Sequence, residues 1–155
     1  MKNIKVINYK QRLDNLFSRI EQLPPDDFEL KSHWARYLCI LVSGFLETGI
    51  REIYAEYAKN KATPYIVNYV VIQLKSLQNP KMEKILQLTR CFSPEWEKSL
   101  REATEDKLKD SIDSIVNIRN GIAHGEQTDI TYHTILGYYQ DAVKVMDLIE
   151  KQCGN

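Results

Sequence analysis

Hydrophobic residues recur every three or four positions along most of the chain, which is the spacing that buries one face of an α-helix. The first such segment keeps this period at Leu13, Leu16, Phe17, Ile20 and Leu23. The Pro24-Pro25 pair predicts the end of that helix, because proline lacks the backbone N–H that a helix interior needs. Asp26-Asp27 then offers capping carboxylates for the helix that follows.

The longest helical pattern runs from about residue 28 to residue 59. It carries two apolar stripes, the second of which has drifted round the axis: Trp34, Leu38, Leu41 and Phe45, then Leu46, Ile50, Ile53 and Tyr57. A helix of this length in a small domain is expected to be central, with a bend near Gly44.

Five further helices are predicted from capping residues, prolines and apolar spacing. Thr63-Pro64, Asn79-Pro80 and Ser93-Pro94 each open one, over about residues 64–77, 80–90 and 94–101. Thr104 is expected to cap a helix that ends at His124-Gly125, and the last helix covers about residues 131–152. The pattern therefore predicts an all-α fold, an antiparallel bundle of four main helices with additional short helices in one connection.

Composition narrows the functional classes. A chain of 155 residues is expected to form one domain, residues 1–155, around a hydrophobic core. Lys plus Arg equals Asp plus Glu, 21 each, so the chain lacks the basic excess that is usual in proteins that bind duplexes along an extended surface, and any nucleic-acid contact is expected to be local.

No apolar run approaches the roughly 20 residues that span a bilayer, and the N-terminus has no signal-peptide pattern, so we expect a cytoplasmic protein without a membrane partner. Cys39, Cys91 and Cys153 are odd in number and form no CxxC pair, which predicts free thiols. The histidines lie in no HExxH or CxxC context, and no Gly-rich phosphate loop occurs, so neither a metal nor a cofactor is expected.

The end of the penultimate predicted helix carries the candidate chemistry. On an ideal helix, Arg119, Asn120 and His124 fall at about 0°, 100° and 140°, and about 7.5 Å of rise separates the arginine from the histidine. A guanidinium donates two parallel hydrogen bonds to phosphate oxygens, and an imidazole can accept or release a proton near neutral pH. Those two groups together are what metal-free cleavage of an RNA phosphodiester requires.

Spacing alone leaves simpler explanations open. An arginine followed five residues later by a histidine occurs often by chance, and a histidine at a helix C-terminus is favourable for the helix dipole. Gly121 either marks a close approach of another backbone or a ligand, or marks fraying of the helix end.

The segment from Ile118 to Gly125 resembles the R-x4-6-H motif of the HEPN superfamily, in which a polar residue, often Asn, follows the arginine. Residues 34–47 further resemble the second helix of the RiboL-PSP or MAE-type HEPN-like nucleases, and the similarity covers most of the chain. The resemblance implies a helical bundle that forms a homodimer, so that two motifs face each other across a cleft.

The same resemblance implies a metal-independent endoribonuclease acting on RNA, often a toxin in a toxin-antitoxin or anti-phage system and therefore a possible partner of an antitoxin protein. Arg119 and His124 would then be catalytic, and Asn120 would orient the histidine or the phosphate. A two-fold axis through the cleft would supply a second histidine, so that one acts as base and the other as acid.

A second strip of polar residues lies on the long helix. Arg36, Ser43, Glu47 and Arg51 lie within about 80° of one another, and Gly44 beside them would permit close approach of the motif helix. One hypothesis is that Glu47 orients Arg119 or His124 and that Arg51 or Arg36 helps to hold substrate. The alternative is an ordinary i,i+4 pair of Glu47 with Arg51 on a solvated face.

Two functional classes remain. The first is a metal-independent RNase that acts as a toxin or defence effector. The second is a non-catalytic helical dimer of the same fold that binds a nucleotide, RNA or a partner protein such as an antitoxin. The intact pair of Arg119 and His124 favours the first, since a binding module has no need of a histidine at this position.

Overall fold

The computed structural model describes residues 1–24 and 26–154, and it confirms the all-α class for that part of the chain. Seven helices make up its regular structure: α1 Ile4–Glu21, α2 Phe28–Lys61, α3 Pro64–Leu74, α4 Met82–Phe92, α5 Pro94–Thr104, α6 Lys107–Ala123 and α7 Tyr132–Cys153. α1 ends at Glu21, before the predicted stop at Pro24-Pro25. Pro25 lies outside the described residues.

The four long helices α1, α2, α6 and α7 form an antiparallel bundle, and the three short ones occupy the connection between α2 and α6. The hydroxyl of Tyr9 on α1 donates to the carbonyl oxygen of Leu41 on α2 at 3.3 Å. The hydroxyl of Tyr132 on α7 donates to the carbonyl oxygen of Phe17 at 2.9 Å, close to the end of α1. The predicted arrangement of long and short helices is therefore confirmed.

α2 is the central helix, as its length predicts, because it packs against α1, α3, α6 and α7. Most of its apolar side chains are fully buried, including Leu38, Val42, Phe45 and Ile50. Burying each such side chain contributes about 1.5–3 kcal/mol, so this helix supplies much of the core. Despite its 34 residues, neither α2 nor another helix of residues 1–24 and 26–154 is long and apolar enough to cross a membrane.

Gly44 lies within α2, but the helix that approaches it is not the one predicted. A Cβ at this position would lie 3.0 Å from the hydroxyl oxygen of Tyr9 on α1. The expectation that Gly44 admits the motif helix is therefore corrected: the glycine lets α1 pack closely on α2.

Several helix starts follow their local signals. Asp27, Ser93 and Thr131 accept a backbone N–H of the helix that each one precedes, at 3.1, 3.2 and 3.1 Å. Such a cap is worth about 1 kcal/mol, because it satisfies an N–H that the helix itself leaves unpaired.

Two predicted starts are wrong. α4 begins at Met82 and not at Pro80, and the N–H of Met82 donates to the Asp113 carboxylate on α6 at 2.8 Å. Thr104 ends α5 and does not cap α6, because its hydroxyl donates back to the carbonyl oxygen of Leu100 at 2.8 Å. Both cases show a distant or backward contact overriding a local capping signal.

Candidate active site

Arg119 lies on the face of α6 that packs on the core, at the point where this face reaches the surface. Ile112 and Ile115 are fully buried, and Arg119 follows Ile115 by one helical turn, so its side chain continues their row. The thiol of Cys39 on α2 donates to the carbonyl oxygen of Ile115 at 3.5 Å and ties the two helices together just before the motif. Arg119 is consequently half-buried where the helix leaves the core.

Asn120 is the hydrogen-bond partner of Arg119. The Nη1 of Arg119 donates to the Oδ1 of Asn120 at 3.3 Å. An amide oxygen that accepts from a guanidinium restricts the directions in which the guanidinium can point. In this protomer Asn120 therefore helps to position the arginine, and its predicted role in orienting the histidine or the phosphate stays a prediction.

His124 forms the C-terminal cap of α6, and its side chain is exposed. Its backbone N–H donates to the carbonyl oxygens of Asn120 and Gly121 at 3.0 and 3.1 Å. Gly125 follows with φ of 75°, a conformation that favours glycine, and this confirms the predicted stop of the helix. One helix end thus presents a half-buried guanidinium and an exposed imidazole, which have no direct hydrogen bond to each other among the described side chains.

The loop after α6 folds back over Gly121. A Cβ at this position would lie 3.0 Å from Oε2 of Glu126 and 3.1 Å from Cγ2 of Thr128. The backbone N–H of Glu126 also donates to the carbonyl oxygen of Gly121 at 2.9 Å. Gly121 therefore marks a close approach of the following loop and not a frayed helix end.

Glu126 is a neighbour of the motif that sequence reasoning missed. The sequence pattern does not single it out, but its carboxylate lies against Gly121, in the middle of the Arg119 to His124 segment. The signal that could have found it is the glycine cap at Gly125, because a left-handed residue turns the chain back onto the preceding helical turn.

Arg36 lies beside this loop. Its Nε donates to the carbonyl oxygen of Thr128 at 3.1 Å, and the side chain is half-buried. The structure thus brings Arg36 next to the segment that follows the motif, where it braces the loop against α2. Its role in holding substrate stays a prediction.

Glu47 and Arg51 are placed differently. The carboxylate of Glu47 pairs with Nη2 of Arg51 at 2.9 Å through one oxygen and accepts the N–H of Asn79 at 2.7 Å through the other. The same Nη2 donates to the carbonyl oxygens of Lys75, at 3.2 Å, and Leu77.

These contacts correct the expectation that Glu47 orients Arg119 or His124 and that Arg51 holds substrate. Both carboxylate oxygens of Glu47 and the bonded nitrogen of Arg51 are used to fasten the segment between α3 and α4 onto α2. The i,i+4 pair, the simpler alternative, is present and forms part of the fold.

The cysteines are free thiols, as predicted. Burial raises the pKa of Cys39 to about 12 and that of Cys153 to about 12, so neither is an ionised nucleophile at neutral pH. Within residues 1–24 and 26–154, no three His, Cys, Asp or Glu side chains are grouped so as to hold a metal ion.

An all-helical bundle whose penultimate helix ends in this Arg-Asn and His arrangement defines the HEPN class of domains. Within that class, the chain matches the RiboL-PSP-HEPN family over residues 6–155, and it belongs to that family. No curated protein and no solved structure shows significant similarity to it. The resemblance inferred from the motif is therefore confirmed at the level of family and fold.

Proposed function

We propose that this protein is a metal-independent endoribonuclease whose catalytic residues are Arg119 and His124. The observation that supports the proposal is the pairing of a half-buried guanidinium, positioned by Asn120, with an exposed imidazole at one helix end. The chain has zero formal net charge, which suits local capture of one phosphate better than binding along a duplex.

The proposed reaction divides the work between the two side chains. An imidazole removes the proton of the ribose 2′-hydroxyl, whose oxygen attacks the phosphorus. The guanidinium of Arg119 stabilises the extra negative charge on the phosphoryl oxygens. The bond to the 5′-oxygen then breaks, and this oxygen takes up a proton from an acid, so the products end in a cyclic 2′,3′-phosphate and a 5′-hydroxyl.

One imidazole cannot act as base and acid in the same step, so the proposal includes a homodimer. A second copy related by a two-fold axis brings a second His124, and the active site becomes a cleft between two motifs. In this reading Arg36, which braces the loop beside the motif, lies at the edge of the cleft and contacts RNA. Arg51 and Glu47 are not part of it.

The proposed biological setting is cytoplasmic: a toxin or anti-phage effector controlled by a cognate antitoxin. A second candidate is a non-catalytic HEPN dimer that binds a nucleotide, RNA or a partner protein. The observation that favours this candidate is that no side chain among residues 1–24 and 26–154 donates to or accepts from the imidazole of His124, so nothing in one protomer orients it.

The experiment is cleavage of a defined RNA in excess EDTA, with identification of the product ends. The wild type is expected to cleave and to leave cyclic phosphates, and His124→Ala and Arg119→Ala are each expected to reduce the rate at least about a thousandfold. His133→Ala is the matched control, because His133 is an exposed histidine on α7. Wild-type cleavage by His124→Ala, or loss of cleavage in EDTA, contradicts the proposal.

A further inference from the structure

A pocket lies beside the candidate active site, at the same end of the bundle. It encloses about 610 Å³ between the start of α2 and the segment that joins α6 to α7. Its walls are formed by Phe28, Lys31 and Ser32 on one side and by residues 129–133 on the other. Pockets that bind small molecules have volumes of about 300–1,000 Å³, so there is room for one nucleotide unit.

One loop connects this pocket to the motif. Thr128 packs on Gly121, with its Cγ2 3.1 Å from the position of a Cβ there, and its carbonyl oxygen accepts from Nε of Arg36 at 3.1 Å. The next residue, Asp129, already lines the pocket. On α2, Ser32 precedes Arg36 by one helical turn and lies on the same side. A molecule in the pocket is therefore next to Arg36 and to the loop that covers the motif.

The pocket exposes part of the core face of α2. Phe28, Ser32 and Ala35 follow one another at four- and three-residue steps, so they share one side of the helix. Ala35 is fully buried, whereas Phe28 is 78% exposed. The side of α2 that packs on the core thus continues beyond the core and presents an uncovered aromatic ring.

Phe28 is the ring of this pocket that is open to a ligand. Tyr132 is only 8% exposed, and its hydroxyl donates to the carbonyl oxygen of Phe17. The ring of His133 packs against that of Tyr132 with the centroids 5.6 Å apart, so these two rings already contact each other and form a wall. An exposed aromatic ring is the platform on which unpaired nucleobases stack in proteins that bind single-stranded RNA.

Lys31 and Asp129 bring opposite charges to the same pocket. Lys31 is half-buried in its wall and Asp129 is exposed, and neither forms an ion pair within residues 1–24 and 26–154. An ammonium group binds a phosphate, and a carboxylate accepts two hydrogen bonds side by side. α2 and α7 also both begin at the pocket, and the positive ends of their dipoles favour an anion there. A ligand that combines a phosphate, a flat ring and N–H donors is a nucleotide.

We propose that this pocket binds the base of an RNA nucleotide adjacent to the scissile phosphate and that it prefers guanine; that the ligand is RNA rests on the proposed function. The base stacks on Phe28, and Lys31 contacts the neighbouring phosphate. Asp129 accepts the N1–H and N2–H of guanine through its two oxygens. Adenine, cytosine and uracil have no two adjacent donors on their Watson–Crick edge, so the carboxylate discriminates against them.

The first test is binding of 2′-O-methyl RNA heptamers, measured by fluorescence anisotropy, because a methylated 2′-oxygen cannot attack the phosphorus. One probe has a guanine among six uracils, and the other has an adenine in its place. The wild type is expected to bind the guanine probe at least about tenfold more tightly. Asp129→Asn is expected to reduce this ratio to about twofold or less, because an amide offers one acceptor and brings a donor to the other position.

Two further variants test the ring and the cation. Phe28→Ala is expected to weaken binding of both probes about tenfold. Tyr65→Ala is the matched control, because Tyr65 on α3 is an aromatic residue that is 88% exposed and does not line the pocket. Lys31→Gln is expected to weaken both probes equally and to reduce the slope of log affinity against log salt by about 0.7, the effect of one phosphate contact. Circular dichroism verifies that each variant is folded.

Several results would overturn the pocket. They are equal affinity of the wild type for the two probes, a guanine preference that survives in Asp129→Asn, and a Phe28→Ala variant that binds like Tyr65→Ala. An unchanged salt slope in Lys31→Gln overturns the phosphate contact.

Cleavage of RNA in EDTA separates this inference from the proposed function. The wild type is expected to cut at a fixed position relative to guanine, and Asp129→Asn is expected to cut without that preference. Guanine-dependent binding without any cleavage would disprove the nuclease and leave the pocket. Cleavage that requires His124 but is identical in rate and position in Phe28→Ala and Asp129→Asn would disprove the pocket and leave the nuclease.

Discussion

Replacing Glu47 separates a structural role from a catalytic one. Its carboxylate pairs with Arg51 and accepts the N–H of Asn79, and the side chains of the pair are only 22% and 27% exposed. Glu47→Ala removes both interactions and leaves a half-buried cation and a half-buried N–H. A hydrogen bond to a charged group contributes about 1.5–3 kcal/mol, less with partial exposure, so we expect a loss of about 2–4 kcal/mol.

For a chain of this length, such a loss corresponds to a decrease in Tm of about 5–15 °C. Urea denaturation followed by circular dichroism gives the free energy of unfolding. Glu52→Ala is the matched control on the same helix, because Glu52 pairs with Lys5, whose side chain is 65% exposed. We expect at most about 1 kcal/mol for that change.

RNA cleavage is the second measurement, made at 25 °C where both variants are folded. Because Glu47 fastens the segment between α3 and α4, the rate per folded molecule of Glu47→Gln is expected to stay within about twofold of the wild type. If Glu47→Gln is as stable as the wild type but cleaves RNA tenfold more slowly, Glu47 belongs to the active site. A Glu47→Ala variant as stable as the wild type would refute the structural role.

Three further predictions concern the loop, the bundle and the thiols. Gly121→Val is expected to lower the free energy of unfolding by about 1–3 kcal/mol, and to reduce cleavage further, because its branches meet Thr128; an unchanged denaturation midpoint would contradict this. Burial opposes ionisation of Asp141, but its bonds from Lys144 and Ser111 keep its pKa below the usual 3.8. The resulting stability is present above about pH 4 and lost below it, so Asp141→Asn should cost less in urea denaturation at pH 3 than at pH 7. Iodoacetamide should label the exposed Cys91 in the native protein and should spare the buried Cys39 until urea unfolds it, as mass spectrometry would show.

Local sequence signals predicted all seven helices of the described residues, but only some of the helix starts. Ser93 and Thr131 cap the helices they precede, because a cap and its N–H are two or three residues apart and depend on nothing else. The start of α4 depends on Asp113, a residue of α6 that is 31 positions away in the sequence. No window around Asn79-Pro80 contains that contact, which is why the predicted start there was wrong.

The predicted site shows the same difference between local contacts and contacts that are distant in the sequence. Arg119, Asn120 and His124 lie within six residues of one helix, so helical geometry alone places them together. The prediction for Glu47 rests on a different argument, namely that its face of α2 would meet the motif helix. The angular position of a residue says which neighbours share its face, but not which element covers that face, and at Glu47 it is the segment leading to α4.

α3 shows the same limit of hydrophobic periodicity. Ile66, Tyr69, Val70 and Leu74 all keep the helical spacing of apolar residues. In the protomer, Val70 and Leu74 pack on the core, whereas Ile66 and Tyr69 remain exposed. A helix needs only one apolar stripe to pack on its own chain, and the spacing of apolar residues does not say which stripe is buried. Periodicity therefore predicts that α3 is a helix with many apolar positions, but not which of these positions its own chain covers.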